Sequence, residues 1–159
     1  MRVAHLAFCI VLLAAVVKSQ ELPNPPKKDT PYLIHATNLL ETETNQATEA
    51  SDKKAQIYWV PGAASSARTP LGFPEFLFAQ DQVDARSLRL YAFERVDGRR
   101  EVLVRKKKKI VVQAYYVDVI PQGEGLFKLR VDSSLTPGEY CLTPDGEQGS
   151  NTVYCFAVI

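Results

Sequence analysis

Two cysteines near the end of the chain, one histidine beyond the first nineteen residues and a dense run of basic residues are the groups whose types suggest chemistry. Cys141 lies in P-G-E-Y-C-L and Cys155 in V-Y-C-F-A-V. Redox pairs and zinc knuckles favour C-x-x-C spacing, and no second ligand pair exists here, so the expected role is structural. In the first segment Tyr140 and Leu142 share a face opposite Cys141. In the second, Tyr154, Phe156 and Val158 share a face opposite Cys155. Turning the large apolar sets to a core places both sulfurs on the outer side. Pairing Thr143 with Val153 then sets Cys141 against Cys155 across a terminal hairpin. Such a staple stabilises by ~3 kcal/mol in the chain-entropy model.

Nucleophilic catalysis would have to be built around His35, in Y-L-I-H-A. Ser65-Ser66 follows P-G-A-A but lacks the G-x-S-x-G elbow. Carboxylates are plentiful, yet no pair is singled out for glycosidase chemistry. There is no P-loop, dinucleotide fingerprint or EF-hand loop. The expectation is a protein that is not an enzyme and holds no cofactor or metal.

Binding offers two candidates. Arg95, Arg99, Arg100, Arg105 and the run Lys106, Lys107, Lys108, Lys109 place eight cations within fifteen residues, against Asp97 and Glu101. They suit weak attachment to an anionic polymer or membrane surface. A solvated loop that discourages strand addition explains lysines there equally well. The adjacent pairs Tyr58-Trp59 and Tyr115-Tyr116 lie on expected strands, so each pair splits between two faces. Trp59 and Tyr115 are the candidate exposed rings for a sugar, and core packing is the competing use.

These residues must be positioned by strands. Residues 1–19 read as a signal peptide: Arg2, then an apolar run to Val17, then small residues before Gln20. Cys9 sits inside it, and bulky Phe8 before it argues against lipidation. Cleavage removes Arg2 and Lys18 and no acid, taking the formal charge from +1 to −1. A near-neutral total argues against a specific nucleic-acid binder. No other apolar stretch is long enough to span a bilayer.

Residues 20–31 carry four prolines and read as an extended arm, open to pairing with a neighbour's edge strand. Residues 32–159 form the domain. Strands are expected at Tyr32–Ala36, Gln56–Val60, Glu75–Ala79, Ser87–Val96, Arg99–Arg105, Ile110–Ile120 (stopped by Pro121) and Leu126–Val131, before the cysteine hairpin. Asn38–Lys54 is polar and reads as a short helix or exposed loop. Asp97-Gly98 is the signature of a two-residue type I′ turn. About eight short strands without a convincing long helix indicate an all-β fold, an immunoglobulin-like or related Greek-key sandwich, with a small barrel as the alternative.

The stretches G-R-R-E-V, L-F-K-L-R-V-D-S-S-L-T-P-G-E-Y-C-L and N-T-V-Y-C-F-A-V resemble the C-terminal half of uncharacterised secreted bacterial proteins with an immunoglobulin-like sandwich. A-S-S-A-R-T-P-L-G-F-P-E-F-L-F is similar to part of the same pattern. The resemblance implies fold and export, and no activity. Antibody domains differ: here the cysteines are hairpin neighbours and Trp59 does not lie between them. The expected protein is a secreted or periplasmic module that binds an envelope or extracellular protein, with a glycan or polyanion as the alternative ligand.

Overall fold

The computed structural model describes residues 23–145 and 150–159. The expected signal peptide and most of the 145–151 loop therefore lie outside the described residues. The strands are β1 (Pro31–His35), β2 (Asn38–Glu41), β3 (Glu43–Gln46), β4 (Thr48–Ser51), β5 (Ala55–Pro61), β6 (Arg68–Thr69) and β7 (Glu75–Ala79). They continue with β8 (Leu88–Val96), β9 (Arg99–Lys106), β10 (Lys109–Ile110), β11 (Val117–Gly123), β12 (Leu126–Val131), β13 (Gly138–Pro144) and β14 (Thr152–Val158). A single 3-10 turn, Ala85–Ser87, is the one helical element among the described residues.

Two sheets pack as a β-sandwich. The first runs β11-β12-β7-β1-β2. The second runs β3-β14-β13-β8-β9-β5-β4, with β10 on β9 and β6 parallel to β14. Their facing side chains alternate along each strand. Leu33, Phe76, Phe78 and Leu129 from the first meet Leu90, Leu142, Phe156 and Val158 from the second. Leu126–Val131 behaves as its alternation requires: Phe127, Leu129 and Val131 are buried while Arg130 is exposed. Tyr140 Oη donates to Thr136 O at 2.8 Å, pinning the approach to β13.

The second sheet also folds over itself. Leu88–Phe93 of β8 pair with β13, whereas Glu94–Val96 pair with β9. The β9, β5 and β4 ribbon thereby covers the back of β13 and β14 and creates a second core of Val60, Phe93, Val102, Cys141, Val153 and Cys155. Cys141 does pair with Cys155 and is bonded to it. The expected outer position is corrected: both cysteines are fully buried, because the folded ribbon roofs the face that a single hairpin would expose.

Three further expectations change. Asn38–Lys54 is neither helix nor loop but carries β2, β3 and β4, each at an edge of its sheet path. Edge strands give few side chains to a core, so their apolar period is weak. Ile110–Ile120 is not one strand: β10 ends at Ile110, residues 111–116 cross as a strap, and β11 continues through Pro121 to Gly123. Proline is tolerated there because β11 is an edge. Finally, the segment read as an arm ends inside the fold. Pro31 opens β1, and the Asp29 carboxylate accepts the backbone N–H groups of Asp81, Gln82 and Val83.

Candidate functional site

The cations of residues 95–109 separate into two groups at opposite ends of β9. The turn at the first end is as expected: Val96 pairs with Arg99 around Asp97 (φ 47°) and Gly98 (φ 79°). The anion-binding assignment fails for Arg100, which is 0% exposed. Alternation sends it inward with Val102, to where β3, β5 and β13 converge. Its Nη2 donates to Glu43 Oε1 and to Pro61 O, at 2.7 and 2.9 Å, and its Nε to Gly62 O at 2.9 Å. Nη1 lies 3.8 Å from Glu139 Oε2, close enough for charge pairing but without a hydrogen bond.

Glu139, itself buried, binds Arg95 through Oε1 and accepts from Ser65 N through Oε2 at 2.9 Å. Burial pushes the Glu43 carboxyl up, but hydrogen bonds from Arg100, Asn45 and Ser66 outweigh that effect and hold it at about 2. This cluster ties the folded ribbon to the sheet beneath. Arg99, the other candidate here, pairs with Glu101 at 2.7 Å and lies 5.2 Å from the Trp59 ring centroid. Trp59 is therefore capped by a cation on its strand neighbour rather than open as a sugar platform.

The opposite end of β9 carries Lys106, Lys107, Lys108 and Lys109, all exposed. Lys106 pairs with Lys109 across a two-residue turn. Lys107 stands at φ 57°, in the left-handed region. Its N–H donates to Lys54 O, and Ala55 pairs with Lys106, so the β4–β5 turn with Lys53 and Lys54 sits against the lysine turn. Lys53 and Lys54 did not stand out in the sequence, because some fifty residues separate them from the main run. Among the described residues, no ion pair involves Lys53, Lys54, Arg105 or Lys106–Lys109 within 4.0 Å.

Between these ends, on the β8 side, β9 borders a groove. The β8–β9 ladder spans only Glu94↔Glu101 to Val96↔Arg99. Beyond it β8 stays with β13 and β9 with β5, so the hairpin opens into a fork. The 111–116 strap lies in that fork: Val111 N donates to Val104 O at 2.9 Å, and Tyr115 N to Leu90 O at 2.8 Å. A groove of about 670 Å³ remains, bordered by Ala92, Glu94, Leu103, Val111, Tyr116 and Asp132. Leu103, Val111 and Tyr116 are 38%, 48% and 65% exposed. Tyr115, the ring expected to be open, is half-buried: it lines the groove but makes a T-shaped contact with Tyr140 at 5.8 Å, beside the bridge of its backbone to Leu90. Tyr116 is the exposed member. Leu103 and Val111 escape sequence reasoning because apolar residues in a β-rich stretch read as core, whereas Tyr116 is the other member of a pair already expected to split.

The residues weighed for catalysis lie elsewhere in the fold. Ser65 Oγ donates to Cys155 O at 3.2 Å. His35 closes β1 with a buried Nε2 that has no hydrogen-bond partner among the described residues. Among the described residues no three His, Cys, Asp or Glu side chains gather to hold a metal ion. No described helix is long and apolar enough to cross a membrane. No protein-family model matches the chain, and no curated protein or solved structure shows significant similarity to it.

Proposed function

We propose that this protein is an exported, non-catalytic β-sandwich that binds a protein partner through the fork between β8 and β9. The observation that carries this reading is the exposure of Leu103, Val111 and Tyr116 around one groove. Contiguous exposed apolar surface marks contact sites, because covering it returns about 25 cal/mol per Å². Glu94 and Asp132 give the groove a polar rim.

The split ladder favours an extended partner segment. In an antiparallel pair every second rung is hydrogen-bonded; the two-residue turn makes Val96↔Arg99 such a rung, and Glu94↔Glu101 is the next in that series. The next would join Ala92 to Leu103 and is not part of the ladder. Strand addition uses such backbone groups for affinity and side-chain pockets for selectivity. Export is supported by the Cys141–Cys155 bond, which belongs to an oxidising compartment. The Tyr140–Thr136 contact is that of a tyrosine corner and favours an immunoglobulin-like sandwich, in keeping with the resemblance of the C-terminal half.

Photo-crosslinking in the producing cells tests this. A photoreactive residue at Tyr116 or Leu103 is expected to trap one discrete partner in the exported fraction, and the same residue at exposed Gln122 to trap none. Identical adducts from all three positions, or none from Tyr116 and Leu103, would reject the groove as a contact site.

A further inference from the structure

We infer that the joined lysine turns at the end of β9 are a docking site for an anionic lipid bilayer. Two segments distant in sequence build it. The β4–β5 turn brings Lys53 and Lys54, and the β9–β10 turn brings Lys106–Lys109, with Arg105 beside them. The Lys107 N–H to Lys54 O bond and the Ala55↔Lys106 pair hold the two turns together.

The nearby carboxylates, Asp52 and Glu49, are hydrogen-bonded to their own turn and strands, and Glu49 also faces Arg105. Asp52 accepts the backbone N–H groups of Lys54 and Ala55 at 2.6 and 2.7 Å. Glu49 accepts from Ser51, Gln56 and Tyr58. Among the described residues, seven cations thus face two carboxylates that are already hydrogen-bonded. Local structure gains nothing from this arrangement. Lys106 and Lys109 are like charges directly opposite one another, and Lys107 occupies a backbone region that glycine or asparagine fills more easily. Features that work against the fold in this way are expected at functional sites.

A soluble polyanion and a membrane both answer to the charge, and the neighbouring apolar residues decide between them. Ile110 is 76% exposed directly after the last lysine, and Val111 follows it. A polyanion gives no return for bare aliphatic side chains, whereas the headgroup boundary of a bilayer takes them in beside the lysines. Multiple lysines on one two-residue turn also suit the negative surface potential of anionic lipid. This docking site adjoins the fork groove at Val111, but Ile110 and the lysines do not line that groove.

Sedimentation with vesicles tests the inference. The disulfide-bonded protein is expected to bind phosphatidylcholine vesicles containing about 30% phosphatidylglycerol and to ignore pure phosphatidylcholine. Each lysine is worth a factor of about five at such a surface. Replacing Lys106–Lys109 with serine should therefore weaken binding several-hundred-fold. Lys53→Ser with Lys54→Ser should weaken it about twenty-five-fold and leaves the β9–β10 turn untouched. Ile110→Ser should weaken vesicle binding several-fold while leaving retention on dextran sulfate unchanged. Equal binding to both vesicle types would overturn the inference, as would lysine variants that bind like the parent. Vesicle binding insensitive to Ile110→Ser would overturn it too, leaving a soluble polyanion as the ligand.

Discussion

β9 begins and ends in positive charge, and the two ends are treated in opposite ways. At its start Arg99 and Arg100 meet Glu101 and Glu43 at 2.7 Å, and Arg100 is wholly buried. At its end the lysines are exposed and form no ion pair among the described residues. Burial explains the contrast. Where the ribbon covers β13 and β14, a cation loses water and must find carboxylates and carbonyls. Beyond the covered region, water solvates the ammonium groups and no counter-charge is required. Residue type follows the same division. Arg100 uses two guanidinium nitrogens to hold a side chain and two carbonyls, which a single ammonium could not span as well.

The largest effect should come from the buried end. Arg100→Met leaves Glu43 and Glu139 without their shared cation and should lower unfolding free energy by about 4 kcal/mol, measured by urea denaturation. A loss under about 1 kcal/mol would mean that the cluster does not hold the ribbon down. Next, replacing both cysteines by alanine should remove about 3 kcal/mol in the same experiment. The third test is pH. Glu43 is held at about 2, below its ordinary 4.5, so its contribution is complete above 4.5 and is lost as pH falls from 4.5 toward 2. Thermal melts should show that decline, and Glu43→Gln should flatten it. The smallest effect belongs to the exposed end. Lys107→Gly relieves the left-handed backbone and should leave stability equal or raise it by about 0.5 kcal/mol. A loss above about 1 kcal/mol would show that this end also carries structure.

Much of the fold was legible because local rules and tertiary structure agreed. Asp97-Gly98 makes its turn, Glu75–Ala79 is β7, and the Cys141–Cys155 register follows from alternation in β13 and β14. The edge strands of 38–51 were not legible, since T-E-T-N-Q places little apolar area on either face. Nor was the fate of the charges. Arg99 and Arg100 are neighbours in one run, yet strand alternation sends one to the surface beside Trp59 and the other into a cluster whose carboxylates lie 57 and 39 residues away. The aromatic pairs show the same limit. Period two says that Tyr115 and Tyr116 part company, but which one is the less exposed depended on the bridge to Leu90.

By itself, then, the sequence determined the extended backbone, its main turns and the partner of each cysteine, because these depend on side-chain period and turn chemistry over a few residues. Only the tertiary structure decided that the second sheet folds back at β8, and with it which face of β13 is roofed, which arginine is buried and which two lysine turns meet. Those outcomes rest on contacts between segments tens of residues apart, whose free energy no local pattern encodes.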